Sequence, residues 1–368
     1  MHDYLDLVKA ALWKNGEGVT NERLTNERLE ELIRLNILQG TGTLVFPYLL
    51  HLSELPALAR AQMKSVCMQN MQNQAQISRI QSQALDALAH AGIEAVLMKG
   101  AGLAALYPEP YYRSWGDVDL FVGKEQYHPA CAVMRDTFPD ALKFEEELDH
   151  YKHYNIIADG VSIETHRVTI GFQHPIDARR YARMEAYGVR HARTLEIEDC
   201  KLKVFEPTFN VLFVFLHSME HMLSQGASLR QLCDLALLLH HEAEHIDRRR
   251  LRHWLCALYL TDMWRLYMFI LVNGLGLSQD EAPFYQGERL KERGERMLVD
   301  LLAGRMHQSK SQESAPKNRI ARKWFTMQER LSNARRMARY SPSYARHMAV
   351  ETLLHGALRF FAKDRFWE

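Results

Sequence analysis

The chain has 368 residues, of which 47% are hydrophobic and 25% are charged, and this balance excludes a disordered or fibrous protein. Its 46 Lys and Arg residues nearly match its 45 Asp and Glu residues, so overall charge draws it to neither nucleic acid nor membrane. At roughly 150 residues per domain, this length favours two or three domains.

The cysteines and the apolar runs indicate a cytoplasmic protein. The five cysteines are far apart and form no CxxC pair, which argues against a disulfide framework or a zinc knuckle and favours a reducing compartment. The first 15 residues mix charged and apolar side chains and lack the apolar core of a targeting signal. The longest apolar runs fall far short of the ~20 residues that span a bilayer, so we expect no transmembrane segment.

The first part of the chain, residues 1–84, is predicted to be a helical segment. Asn21 and Asn26 are candidate N-caps, and leucine and isoleucine residues follow at helical spacings. Residues 63–91 contain no Gly or Pro and are rich in Gln, Met and Ala, which predicts one long helix that ends before Gly92.

A small α+β core is predicted over residues 85–205. Short apolar runs at 93–98, 118–122 and 202–205 predict strands, and 103–107 and 126–138 predict helices. Two further β runs, 154–158 and 161–166, flank Asp159-Gly160, which is a strong hairpin signal. The fold class is therefore α+β, with a mixed sheet between helical segments and mostly helical overall.

Helical patterns return after residue 205. We expect a helical domain over residues 206–307, with helices at 209–223, 229–241, 247–273 and 278–302. Residues 308–316 resemble a linker, and the segment 308–368 ends in basic helices. In this tail Trp324 and four other apolar residues recur at steps of three and four, which predicts an amphipathic basic helix that docks on the body, binds RNA or lies on an anionic membrane.

Paired carboxylates are the most informative feature of the core. Asp117 and Asp119 alternate with Val118 and Leu120, so in a strand both aspartates project from one face. Neighbouring carboxylates repel each other unless a cation lies between them, and Mg²⁺ binds carboxylate oxygens together with substrate phosphates. Glu164, on a second predicted strand, could complete a two-metal site for Mg²⁺ or Mn²⁺. The alternative is a strand with a solvated acidic edge.

A glycine-rich turn precedes the carboxylates. Lys99-Gly100-Ala101-Gly102 joins a predicted strand to a predicted helix, where backbone N–H groups and the Lys99 ammonium could contact phosphate. Such turns also use glycine for backbone reasons alone.

Together these motifs resemble the polymerase-β-type nucleotidyltransferase superfamily, and within it the uncharacterised nucleotidyltransferase family. The similarity covers roughly residues 25–270. The segments that carry it are Leu97-Met98-Lys99-Gly100, Leu106-Tyr107, Arg113, Gly116-Asp117-Val118-Asp119-Leu120-Phe121-Val122, Ile163-Glu164-Thr165-His166, His217, His221, Leu229-Arg230 and Asp234-Leu235-Ala236-Leu237-Leu238.

The resemblance implies an enzyme that transfers a nucleoside monophosphate from an NTP to a hydroxyl of a small molecule or a protein. Asp117, Asp119 and Glu164 would be its catalytic, metal-binding residues. The expected nucleotide-binding residues are Lys99, Gly100, Arg113, Arg230, Asp234, His217 and His221, with Arg167 as a further candidate cation. No Ser or Thr follows Gly100, whereas the wider superfamily has a Gly-Ser turn. This difference bears on phosphate binding by the turn more than on metal binding by the carboxylates.

Other functions compete with this hypothesis. The chain could be a nucleotide-binding or interaction protein without catalysis, or an RNA-modifying transferase that uses its basic tail. His241-Glu242-Ala243-Glu244-His245 fits the H-E-x-x-H zinc protease pattern, and residues 217–221 fit its inverted form. With 18 histidines in the chain, a chance match is the more plausible explanation for the first.

Overall fold

The computed structural model describes residues 2–14, 25–51, 55–144, 148, 150–172, 174–197, 200–224, 226–305 and 318–361. In these residues the α-helices are α1 His2–Trp13, α2 Asn26–Leu38, α3 Gly42–Leu49, α4 Ala57–His90, α5 Ala101–Ala104, α6 Gly123–Thr137, α7 Pro175–Arg190, α8 Pro207–Ser224, α9 Leu229–His241, α10 Arg248–Ala257, α11 Thr261–Leu275, α12 Gly287–Leu302, α13 Arg319–Met337 and α14 Pro342–Phe361. The strands are β1 Val96–Leu97, β2 Asp117–Phe121, β3 Leu142–Lys143, β4 His153–Ala158, β5 Val161–His166, β6 Arg193–Ile197 and β7 Cys200–Val204. Asn21 and the predicted linker at 308–316 lie outside the described residues.

The predicted α+β fold with a mixed sheet is confirmed. Five strands form one sheet in the order β1-β2-β5-β4-β3, and β6 pairs with β7 in a separate hairpin. Strand β2 runs parallel to β5, while the other neighbours in the sheet are antiparallel. A parallel pair needs a crossover connection, and α6, β3 and β4 supply it.

The hairpin predicted at Asp159-Gly160 is confirmed. Strands β4 and β5 pair directly across this two-residue turn, with Ala158 opposite Val161. Both turn residues have a positive φ, 49° for Asp159 and 78° for Gly160. A type I′ turn requires this conformation, and Asp and Gly adopt it at low cost.

The sheet is packed on one face by α4 and α6. Val118 and Leu120 of β2 are fully buried in a cluster that also contains Ile77 and Ile80 of α4 and Tyr127 of α6. Because side chains alternate along a strand, burial of these two residues directs the intervening aspartates to the opposite face.

Helix α8 lies at the centre of the larger core. Its residues at helical spacing, Phe209, Leu212, Phe213, Leu216 and Met219, are all buried. This core also includes residues of α1–α3 and of α9–α12, so the N-terminal helices pack on the same core as the helices after residue 206. The division of the chain into four segments stays a prediction.

Several predicted boundaries are wrong. The helix predicted at 247–273 is two helices, α10 and α11, because the chain turns at Tyr259, whose φ is 59°. The helix predicted at 278–302 begins only at Gly287. Pro283 has no N–H group to donate to a helical hydrogen bond, so a continuous helix through residues 278–302 is unfavourable. The strand predicted at 93–98 pairs over two residues only, and Thr25 rather than Asn26 caps α2, accepting a hydrogen bond from the Arg28 N–H.

The basic tail forms two helices. Trp324 of α13 is 55% exposed, while Ala334 and Met337 near the end of the same helix are buried. Asn333 Nδ2 donates to the Leu223 carbonyl at 3.2 Å, so the last turns of α13 dock on α8. Among the described residues no helix is long and apolar enough to cross a membrane.

Candidate functional site

The three predicted carboxylates converge at the parallel strand pair. The β2–β5 register places Asp119 directly beside Glu164, and Asp117 lies two residues before Asp119 on the same face. One carboxylate oxygen from each of the three residues lies within 4.8 Å of those from the other two. Asp119 is 3% exposed. The fold therefore gathers three acidic groups at one point, where Asp119 is buried and Asp117 stays partly exposed.

Two basic side chains offset this negative charge. Lys99 Nζ lies 2.9 Å from Asp119 Oδ2 and 4.0 Å from Asp117 Oδ2. His166 Nε2 lies 3.0 Å from Asp119 Oδ1 and 3.1 Å from Glu164 Oε2. The Lys99 ammonium and the His166 imidazole therefore each bridge two of the three carboxylates.

The pKa values of the two aspartates shift in opposite directions. Repulsion by Asp119, helped by burial, raises the pKa of Asp117. Burial alone would raise the pKa of Asp119 too, but Lys99 and His166 outweigh it and hold this pKa well below its usual range. Burial likewise opposes ionisation of Glu164, yet the His166 hydrogen bond lowers its pKa. Asp119 and Glu164 are thus the two members most firmly ionised at neutral pH.

Two histidines beside the carboxylates, His166 and His153, are not among the site residues that the sequence predicts, although His166 lies within one of its motifs. His166 is 2% exposed, and burial disfavours its charged form, but Asp119 and Glu164 raise its pKa. His153 of β4 lies opposite His166 in the β4–β5 ladder, and its Nδ1 is 3.6 Å from Glu164 Oε2. The signal was available, because Glu164 and His166 are two residues apart on a strand and so share a face.

Histidines from α8 form the second side of the site. His217 Nε2 lies 3.1 Å from Lys99 Nζ, and His221 Nε2 lies 3.0 Å from His217 Nε2. Burial and the Lys99 charge lower the pKa of His217 strongly and that of His221 to about 4. Both imidazoles are therefore neutral at pH 7, where each can donate and accept one hydrogen bond.

Arg113 and Asp234 bind each other. Arg113 Nε and Nη2 donate to the two Asp234 oxygens at 2.7 and 3.0 Å, and the Tyr107 hydroxyl donates to Oδ1 at 2.8 Å. At 3% and 5% exposed, Arg113 and Asp234 offer little surface to a nucleotide. Arg113 Nη1 also donates to the Gly100 carbonyl at 3.4 Å, which ties the Lys-Gly turn to α9.

Arg230 and Arg167, the other predicted cations, have different surroundings. Arg230 Nη1 donates to the Ser114 carbonyl, close to the start of β2. The Arg167 guanidinium lies over the Tyr127 ring, 4.6 Å from its centroid. Neither contact tests a role in binding phosphate.

Gly100 has a backbone reason to be glycine. Its φ is 53°, and a Cβ added there would lie 2.8 Å from the Trp115 ring. The helix that follows, α5, is a single turn, so its dipole is a weak source of attraction for phosphate. The phosphate role of this turn stays a prediction.

The carboxylate site fits a hard divalent cation. Asp119 Oδ2 is already paired with Lys99 at 2.9 Å, but Lys99 Nζ lies 4.0 Å from Asp117, whose pKa is raised by repulsion from Asp119 and by burial. A divalent cation between the carboxylates would relieve this repulsion. Three carboxylates from two adjacent strands are the ligand type that Mg²⁺ and Mn²⁺ prefer.

The H-E-x-x-H segment does not gather metal ligands. His241 ends α9, is exposed, and approaches the Leu106 carbonyl through Nε2 at 3.0 Å. Glu242 is paired with His245 at 2.9 Å and with Arg193 at 3.2 Å. Within the described ranges, none of the side-chain groups able to hold a metal includes these residues.

Comparison with known proteins supports the resemblance. The family model described as "Uncharacterised nucleotidyltransferase" matches residues 25–273, about two thirds of the chain. Among solved structures, the chain is similar to an antigenic nucleotidyltransferase-like protein from Paracoccidioides brasiliensis, with a TM-score of 0.33 and 17% identity over 56% of this chain and 92% of that one. No curated protein matches the chain.

Proposed function

Because the chain belongs to the uncharacterised nucleotidyltransferase family, we propose that it transfers a nucleoside monophosphate from an NTP to a hydroxyl of a small molecule or protein. The acceptor hydroxyl releases its proton to solvent as its oxygen forms a bond to the α-phosphorus, the bond from that phosphorus to the bridging oxygen breaks, and pyrophosphate leaves. The observation that carries the proposal is the convergence of one oxygen each from Asp117, Asp119 and Glu164 within 4.8 Å.

In this reaction the three carboxylates would hold Mg²⁺ or Mn²⁺. The bound cation would supply positive charge that stabilises the phosphate oxygens as their charge develops. Glu164, kept ionised by His166, would accept a hydrogen bond from the acceptor hydroxyl and orient it. Lys99, whose pKa is raised by the aspartates in spite of burial, stays charged and would offset the negative charge of the leaving pyrophosphate.

The helical residues would bind or position the substrate. His217 and His221 line the site beside Lys99 as neutral hydrogen-bonding groups, suited to a base, a sugar or the acceptor. We assign Arg113 and Asp234 a positioning role, because their bidentate pair holds the Gly100 carbonyl and thereby the turn that carries Lys99.

The first test measures NTP binding and pyrophosphate release with each of the four NTPs, with and without Mg²⁺ or Mn²⁺. We expect NTP binding to require the cation and Asp119→Asn to weaken it, since the change removes a charge while keeping the side-chain size. Asp117→Asn and Glu164→Gln should abolish pyrophosphate release at an unchanged melting temperature.

The matched control is Asp159→Asn. Asp159 lies in the β4–β5 turn, where Asn tolerates the positive φ, and its carboxylate pairs at the surface with Arg79. This variant should behave as wild type. Cation-dependent NTP binding without pyrophosphate release, whatever acceptor is offered, would contradict transfer and support a nucleotide-binding protein. Equal NTP affinity in wild type and Asp119→Asn would show that the carboxylate site does not bind the NTP.

A further inference from the structure

A second cluster of metal-ligand side chains lies between α7 and α14 and shares no residue with the carboxylate site. His174 is the N-cap of α7, and Asp177 lies in the first turn of that helix. His347 and Glu351 are one turn apart in α14. Two pairs at helical spacing, from segments about 170 residues apart in sequence, thus meet across one interface.

Three of these residues, His174, Asp177 and Glu351, each offer a ligand atom within 4.8 Å of those of the other two, and His347 Nε2 lies near two of them. His174 Nδ1, which accepts a 3.4 Å hydrogen bond from the Asp177 N–H that a metal ion would replace, lies 3.4 Å from Asp177 Oδ2 and 3.1 Å from Glu351 Oε1. His347 Nε2 lies 2.8 Å from Asp177 Oδ2 and 3.7 Å from Glu351 Oε1. Ligand atoms placed tetrahedrally at ~2.0–2.1 Å from one ion would be ~3.3–3.4 Å apart, so each of these four separations is within about 0.6 Å of the tetrahedral value.

The cluster opens onto a cavity that gives an ion access. This cavity has a volume of about 350 Å³ and includes all four cluster residues in its wall, along with Glu220 of α8 and Arg330 of α13. The cluster residues are largely buried, with Asp177 3% exposed. A metal ion would therefore be shielded from bulk water on most sides yet reachable from one.

Neighbouring groups hold two of the ligands in place. Arg180 Nη1 donates to Asp177 Oδ1 at 3.2 Å, leaving Oδ2 to face the histidines, and also donates to the Ala257 carbonyl. The His347 ring is stacked on Tyr259, with ring centroids 4.1 Å apart. Supporting contacts of this kind fix ligand orientation and raise metal affinity.

We propose that His174, Asp177, His347 and Glu351 bind one divalent transition-metal ion of the zinc class and that this ion fastens α14 to α7. Two neutral imidazoles and two carboxylates around a dication form a complex without net charge, which suits a largely buried position. Two nitrogen ligands favour zinc or a similar metal over Mg²⁺, which prefers oxygen ligands in an octahedron.

The test is a Zn²⁺ titration of the chelator-treated full chain in excess Mg²⁺, with a chromophoric chelator as competitor and melting temperature as second readout. Wild type should bind zinc and melt at a higher temperature with it. Glu351→Gln and the double variant His347→Gln/Glu351→Gln should bind zinc at least about tenfold more weakly. The Glu351 side chain is more exposed than that of His174, so Glu351→Gln should still fold and can be compared with wild type if the double variant does not fold.

Two controls separate this site from other zinc binding. Asp119→Asn/Glu164→Gln removes carboxylates of the first site, and His240→Gln removes an exposed histidine paired with Glu281. Both should keep wild-type zinc affinity. Undiminished zinc binding in Glu351→Gln, or its loss in either control, would overturn the assignment.

The fastening of α14 is tested by hydrogen exchange. Zinc should slow exchange of the α14 amides in wild type and leave it unchanged in Glu351→Gln. Zinc binding that leaves the exchange of α14 unchanged in wild type would refute the fastening role.

Discussion

Removal of the Asp234 carboxylate should destabilise the protein strongly. Asp234 accepts three hydrogen bonds, two from the Arg113 guanidinium and one from the Tyr107 hydroxyl. Burial opposes its ionisation, but Arg113 lowers its pKa, so the carboxylate is charged at neutral pH. In Asp234→Ala the Arg113 charge would remain buried without its partner.

The size of the effect follows from the burial of this pair. Breaking a buried ion pair by removing one partner costs about 3–5 kcal/mol, because the remaining charge has lost both water and counter-ion. Both residues are at most 5% exposed, so solvent screening reduces this figure little. With an unfolding entropy of about 2.1 cal/mol/K per residue for 368 residues, the melting temperature should fall by roughly 4–6 °C if the chain unfolds as one unit.

The assay is thermal and urea unfolding of wild type, Asp234→Ala and a matched surface variant, Glu292→Ala. Glu292 pairs with Arg296 at 2.7 Å on α12, but both side chains are exposed, so its loss should cost less than about 0.5 kcal/mol. A melting temperature of Asp234→Ala within 1 °C of wild type, by rough allowance for measurement error, would refute the argument from burial. In that case a loss of nucleotide binding at unchanged stability would restore Asp234 to the direct binding role that its sequence position suggested.

Two further predictions concern stability. Folding lowers the pKa of Asp234, so the stability that its carboxylate contributes is fully present above the unfolded pKa of about 3.9 and is lost as pH falls through the folded pKa. In urea unfolding, the difference in the free energy of unfolding between wild type and Asp234→Asn should therefore narrow below about pH 5. A difference that stays constant down to about pH 3 would contradict this prediction. Gly188→Ala should cost about 1–3 kcal/mol or more in the same assay, because the new Cβ would overlap the buried Phe209 ring, whereas Gly116→Ala meets nothing within 4 Å and should be nearly neutral. Equal stability of these two alanine variants would show that α7 and α8 can separate without cost.

Local sequence patterns determined the elements that carry the site. Alternation of Asp117 and Asp119 with Val118 and Leu120 predicts a strand with two carboxylates on one face, and the structure has that strand. Asp159-Gly160 predicts the hairpin that follows, because few residues adopt positive φ in succession. Both patterns extend over only a few residues, so local backbone geometry is sufficient to predict the strand and the turn from the sequence.

Partners across the fold were decided by tertiary structure. The parallel register of β2 with β5, which places Asp119 beside Glu164, depends on a crossover of about forty residues that no local pattern specifies. Asp234 lies four residues after Arg230 on α9, a spacing that would allow an ion pair, but Arg113, which is distant in sequence, donates to Asp234 from Nε and Nη2. Strand β6 was missed because its residues are half-exposed and its apolar alternation is weak.

The sequence by itself thus determined which residues are acidic, which lie on one face of a strand, and where tight turns fall, because these properties follow from side-chain period and backbone sterics. Only the packed structure decided that Lys99 and His166 neutralise the carboxylates and that His174 and Asp177 meet His347 and Glu351. These meetings follow from burial of apolar faces on α4, α8 and the sheet, which brings distant segments together whatever polar groups they carry.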